Sequence, residues 1–389
     1  MRITFLLLAA VLLASCARAG GSAAPGGVIA QRVQPATNNY APLYSFRNSP
    51  DGRYPEAGLV SVSGTLYGTT SLGGKDSEGT VFSLTKTDKE SVLYSFRNAG
   101  DGESPFGGLL AVGSEFYGTT ADGGAGSAGS LFRVGVTGAE RILYSFTQRS
   151  GTNPYSGLIK LDNDFYGTAS AGGTGSGNSG TVFEVSKNGT EHTIYNFHGA
   201  DGATPNANLI AVNGVLYGTT QYGGSGEGTV FAVTPSGTES VLHTFGGGSD
   251  GAVPRNAGLV AIDGALYGTT CSGGTHGDGT VFMLAKSRSK YTERVLYNFG
   301  DHPEDGSCPS AGLTLHGSVL YGTAYNGGSL GEGAIFKVTL LGTESVLYSF
   351  KGKPDGTNPM GTLLAVGDTL YGTTSQGGNG FGTVFRITP

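Results

Sequence analysis

From residue 42 onward, short apolar runs alternate with breaks rich in Gly, Asn, Asp, Ser and Pro. Four runs recur in fixed order. The first is apolar, as in Gly58-Leu59-Val60 and Asn208-Leu209-Ile210. The second is Leu/Phe-Tyr-Gly-Thr followed by a double glycine, as in 66–74 and 216–224. The third is of the type Gly-Thr-Val-Phe (79–82, 228–231, 382–385), and the fourth is of the type Leu-Tyr-Ser-Phe (43–46, 93–96, 347–350). A loop, usually Asp-Gly-x-x-Pro, leads to the next period. Tyr-Gly-Thr marks the count, with tyrosines at 67, 117, 166, 217, 267, 321 and 371 and steps of 50, 49, 51, 50, 54 and 50 residues.

Runs rich in Val, Leu, Tyr, Phe and Thr, punctuated by turn residues, predict strands. In Leu93-Tyr94-Ser95-Phe96 the alternation of side chains puts both rings on one face. No helical spacing survives a full period. Four strands in each of seven periods predict an all-β, seven-bladed β-propeller with four-stranded blades. The first Leu-Tyr-Ser-Phe precedes the first Tyr-Gly-Thr, and the last Gly-Thr-Val-Phe has no successor. The last blade is therefore expected to be closed by the N-terminal strand, which leaves no orphaned edge. The repeat makes 42–389 one domain, although 389 residues could hold two or three. The 71 glycines recur at fixed phase and read as turn positions, not as disorder.

Residues 1–15 read as an export signal, with Arg2 ahead of an apolar run too short to span a bilayer. The run ends in Leu13-Ala14-Ser15-Cys16, the pattern of a bacterial lipoprotein box, which makes Cys16 the candidate lipidation site. Cleavage after Ala19 is the rival reading. Residues 16–41 read as a flexible tether. The chain is thus expected to be exported, periplasmic or at the cell surface, touching membrane only through a lipid. Formal net charge is −6, and no basic stripe is present to neutralise phosphates, which argues against nucleic acid.

The Gly-x-Leu-Tyr-Gly-Thr-Thr-x-x-Gly-Gly core, with Gly-Thr-Val-Phe after it, stands at 64–74 with 79–82 and again at 214–224 with 228–231. It resembles the bacterial choice-of-anchor tandem-repeat group called GloVer, across nearly all of 42–389. That resemblance implies export and surface display. It implies no established catalysis, so no catalytic residue is carried over. Kelch propellers share the period and the double glycine, but this chain has no Trp.

Chemistry is sparse. The first segments, which should line the channel, are apolar or small, and no carboxylate pair or Ser/His/Asp set emerges. Neither a catalytic residue nor a cofactor or metal site is expected. Asp51, Asp101, Asp201, Asp250, Asp305 and Asp355 recur in the loops, with Ser150 in the odd position. They read as caps of their own Asp-Gly turns, against the alternative of ligand or Ca²⁺ contacts. The tyrosines of Tyr-Gly-Thr read as packing between blades. Cys271 and Cys308 are expected on one face of adjacent blades. A disulfide is the preferred reading in an exported chain; free thiols, or a metal site joined by His276 and His302, are the alternatives. Where the copies differ, Tyr222, Arg255 and Tyr325 are the candidate ligand contacts, for a glycan, peptide or envelope protein. The expectation is a monomeric, non-catalytic binding or scaffolding propeller; an exported lyase or carbohydrate hydrolase is the alternative.

Overall fold

The computed structural model describes residues 39–97, 100–288 and 290–389. The export signal, Cys16 and most of the expected tether lie outside the described residues. Seven four-stranded antiparallel sheets stand in a ring, a seven-bladed β-propeller. Blade 1 comprises Val60–Val62, Thr65–Thr70, Thr80–Leu84 and Glu90–Ser95, ordered from the channel outward. Blades 2 to 6 repeat the order, and the first strands of neighbouring blades meet round the channel. Blade 7 supplies three strands of its own. Its outer strand is Ala41–Ser45, antiparallel to Thr383–Ile387 with Ala41 opposite Arg386. The clasp begins earlier than the end of the expected tether: Tyr40 stacks on Tyr348 at 3.9 Å between centroids, and its hydroxyl donates to Asp355 Oδ1.

Tyr-Gly-Thr is a packing device, each residue with its own task. Tyr67 packs on Phe116 of the next blade, centroids 4.3 Å apart. Gly68 leaves room for the blade's own core, because a Cβ there would stand 2.7 Å from the Phe82 ring. Thr69 Oγ1 donates to the Gly107 carbonyl of the next blade at 3.1 Å, and Thr373 repeats this to Ala57 at 2.9 Å across the closure. The following Thr70 bonds Thr80 across the sheet at 2.8 Å. Further out, the Phe just after each outer strand meets the Phe of the next blade's third strand, edge-on at six junctions and tilted at Phe146/Phe183; Phe96 meets Phe132 at 5.0 Å. Phe46 of the clasp does the same to Phe82 at 5.1 Å.

The loops crossing from one blade to the next hold a stronger device. The residue before proline lies in the left-handed region in every one: Tyr54, Ser104, Asn153, Thr204, Val253, Cys308 and Asn358, φ between 51° and 60°. Each staples two blades. The Ser104 amide donates to the Glu78 carbonyl of blade 1, while its carbonyl accepts from the Ala121 amide of blade 2. Tyr54 closes the ring through Phe381 behind it and Ser71 ahead. The proline then packs over the glycine of the preceding blade's Gly-Thr-Val-Phe segment; no Cβ fits at Gly79, 2.5 Å from Pro105 Cδ. A non-glycine residue in this region costs about 1–2 kcal/mol, and two buried backbone hydrogen bonds, together with the packed proline, offset it.

The loop aspartates cap their turns, and they do more. Asp51 accepts from the Gly52 amide at 2.7 Å, from the Arg47 amide at 3.0 Å and from the Tyr44 hydroxyl at 2.8 Å. Beside it stands Glu90, from the outer strand of the blade that follows, with one carboxylate oxygen buried and unpartnered. The same arrangement recurs as Asp101/Glu140, Asp201/Glu239, Asp250/Glu293 and Asp305/Glu344. Burial first, then the neighbouring aspartate, pushes Glu90, Glu140, Glu239 and Glu293 up to about 7 and Glu344 up to about 8. Two junctions differ. Ser150 replaces the aspartate beside Glu191, which accepts from Tyr144 at 3.3 Å. At the clasp, Tyr40 stands where the glutamate would be.

A β-branched residue with positive φ is the most strained choice, so Val253→Asn, the residue present at 153 and 358, should stabilise the chain by about 1 kcal/mol; thermal melting with an unchanged or lowered midpoint refutes this. The five glutamates are held above their ordinary range near 4.5 when folded. The folded chain therefore binds more protons than the unfolded one, and stability falls as pH rises. That stability is fully present below the unfolded value and is lost through pH 7 to 8. Melting midpoints should decline across this window, and Glu344→Gln should flatten the decline; a curve rising from pH 5.5 to 8.5 contradicts it.

Candidate ligand-binding face

The loops crossing between blades and the double-glycine loops after second strands share one face, as their pairing shows: Gly52 lies opposite Gly73 and Arg53 opposite Leu72. Short ladders of this kind recur at Gly251/Gly273, Gly306/Gly327 and Gly356/Gly377. Each anchors a crossing loop just before its αL residue and proline. The residue after the proline is thus delivered to the channel mouth by a frame that repeats, while its side chain does not. Glu56, Phe106, Tyr155, Asn206, Asn256 and Met360 line a cavity of about 70 Å³ there. Its floor is small because neighbouring backbones converge: a Cβ at Gly157 would stand 3.0 Å from the Gly108 carbonyl oxygen.

The rim has three kinds of chemistry. Phe106 and Tyr155 meet edge-to-face at 5.1 Å and form an aromatic wall. Asn206 links the amides: its Nδ2 donates to Gln221 Oε1 at 2.8 Å and its Oδ1 accepts from the Asn256 amide at 3.4 Å. Glu56 supplies a carboxyl whose Oε2 is buried without a partner. Burial raises its pKa; the Ser71 hydroxyl and the Arg255 guanidinium, which favour the carboxylate, offset this only in part. Burial also raises the Tyr155 phenol, helped by Asp122 and Glu56. The charge that acts on Glu56 is thus that of a cation.

The Gloeobacter/Verrucomicrobia repeat model matches residues 12–227 and 223–389. The chain belongs to the Gloeobacter/Verrucomicrobia repeat family. No functionally curated protein matches this repeat protein. Among solved structures it is similar to a putative 6-phosphogluconolactonase from Bacteroides uniformis, with 16% identity and a TM-score of 0.52 over 79% of this chain and 88% of that one. It is also similar to PorZ, a bacterial surface component of the type-IX secretion system of Porphyromonas gingivalis, with 15% identity and a TM-score of 0.51 over 85% of this chain. The match spans 46% of PorZ, about half its length. At such identities both likenesses concern the fold alone.

Within the repeat frame the three candidate contacts part company. Arg255, the residue after Pro254, is exposed, and its charge favours the Glu56 carboxylate. Tyr222, 47% exposed, accepts at its hydroxyl from Gln221 Nε2 at 3.1 Å and so connects with Asn206. Tyr325 is half-buried, and its carbonyl accepts from Asn358 Nδ2 at 3.1 Å; among the described residues no contact ties its ring to the mouth. Glu56, Phe106, Tyr155, Asn206 and Met360 were not singled out from the sequence. The signal was there: the position after the proline varies in every copy.

Cys271 and Cys308 form a disulfide between blades 5 and 6. Cys308 is itself the αL staple residue of its loop, so the bond doubles a backbone link covalently. Across a separation of 37 residues the chain-entropy model gives it about 4 kcal/mol. His276 pairs with Asp301 at 2.8 Å. The three extra residues of blade 5 lengthen its outer hairpin, with strands Thr280–Ser287 and Lys290–Asn298.

Proposed function

We propose that this propeller is an exported, non-catalytic binding or scaffolding module of the bacterial envelope, tethered by a lipid at Cys16, that takes a glycan, peptide or envelope-protein segment at the channel mouth. The mouth carries the argument: a sevenfold frame holds unlike side chains at one position per blade. An aromatic wall, amides with donors and acceptors, and a carboxyl under the influence of a guanidinium form a set that recognises without reacting. The repeat family and the disulfide support a location outside the cytoplasm. The competing reading, an exported lyase or carbohydrate hydrolase, has in Glu56 one buried carboxyl, but the charge acting on it is that of Arg255 rather than that of a second acid.

Glycan and peptide arrays, followed by titration of the best ligand, test this reading. Phe106→Ala with Tyr155→Ala, and separately Arg255→Gln, should each weaken binding about tenfold or more. Tyr325→Ala should leave it unchanged. Turnover of the ligand, or equal binding by all variants, rejects the proposal. Metabolic labelling with palmitate should mark the wild type and not Cys16→Ser; an unlabelled wild type removes the anchor.

A further inference from the structure

On the opposite face, each outer strand carries a bulge, and at four junctions the next blade's outer turn settles on it. Leu93 is the bulged residue of blade 1, skipped between the pairs Val81/Tyr94 and Phe82/Val92. In blade 2, Gly138 lies over its carbonyl, so close that a Cβ would stand 2.4 Å from the oxygen. Gly189, Gly237 and Gly342 approach Leu143, Ile194 and Leu296 in the same way, at 2.3, 2.9 and 2.5 Å. All four are left-handed, and each amide closes its turn on the residue three before it.

The turn of blade 1 has the same length and the same closing bond, from the Asp88 amide to the Thr85 carbonyl at 3.0 Å. Its left-handed residue is Asp88, φ 58°. A real Cβ there cannot approach the carbonyl of Leu43, the bulged residue of the clasp. The junction between blades 7 and 1 stays open, leaving about 310 Å³, within the range of ligand cavities. The one other blade whose outer turn lacks the glycine is blade 5, where Arg288 takes positive φ. Its junction with blade 4 likewise holds about 300 Å³, lined by Tyr291 and Lys286. Both outer turns that lack the glycine thus border a cavity.

The cavity at the clasp is walled by Leu43, Leu66, Leu84, Val366 and Tyr371. Lys86 and Arg386 stand at its rim with Asp88 as the acid, and neither cation forms an ion pair among the described residues. We infer that this seam is a second binding site, separate from the mouth, for an amphipathic organic anion: an alkyl or aryl body against the leucines and Tyr371, and a carboxylate or sulfonate between Lys86 and Arg386. Apolar walls supply the affinity and the two cations select the sign of the head group.

Fluorescence titration with 8-anilinonaphthalene-1-sulfonate, followed by displacement with octanoate, tests it. One saturable site per chain is expected. Asp88→Gly should let the turn close as in blades 2, 3, 4 and 6, weakening binding about tenfold or more without lowering the melting midpoint. Lys86→Gln with Arg386→Gln should weaken octanoate about tenfold while leaving neutral octan-1-ol unchanged. Phe106→Ala with Tyr155→Ala should leave the seam untouched. Absence of saturable binding in the wild type, full affinity in Asp88→Gly, or an unchanged octanoate affinity in the double variant each overturns the assignment.

Discussion

Seven residues forced into the left-handed region hold this ring together. Each sits before a proline, and each gives its amide to one blade and its carbonyl to the next. No blade could keep that conformation alone, because the two partners lie on different sheets. The ring and the strain therefore exist only together. The threonine bonds, the edge-on phenylalanines and the prolines over glycines act in the same junctions. The blades are thus joined by hydrogen bonds as well as by packing.

Much of this could be read from the chain. The period, the four runs and the spare Leu43–Phe46 segment specify seven blades and their closure, because strand count follows from punctuation and closure from phase. The shared face of the crossing and double-glycine loops followed from alternating strand direction, and the Cys271–Cys308 bond agrees with it. The staples could not be read. Tyr54, Val253 and Cys308 are not residue types that signal positive φ, and only the partners on two sheets impose it. The junction glutamates were equally silent: at the start of an outer strand Glu90 looks like an ordinary exposed acid, until the preceding loop brings Asp51 beside it.

At the mouth the difficulty was of another kind. A repeat draws attention to what recurs, and recurrence here marks packing. Glu56, Phe106, Tyr155, Asn206 and Met360 share a position and nothing else. Of the three candidates, Tyr222 and Tyr325 follow Tyr-Gly-Thr and only Arg255 follows a proline, whereas the mouth is lined chiefly from the position after the proline. A rigid, repetitive frame with one free choice per blade lets a binding surface change without disturbing the fold.

The clasp pairs Ala41–Ser45 with Thr383–Ile387, segments at opposite ends of the described chain. A chain made or threaded across a membrane from its N-terminus must hold that first strand unpaired until the last blade arrives. Blades 1 to 6 can stack in order meanwhile, but the seventh junction forms only when both ends are on the same side of the membrane. Closure of the ring thus reports that transfer of the whole propeller is complete, and loop-closure entropy makes it the contact with the longest wait.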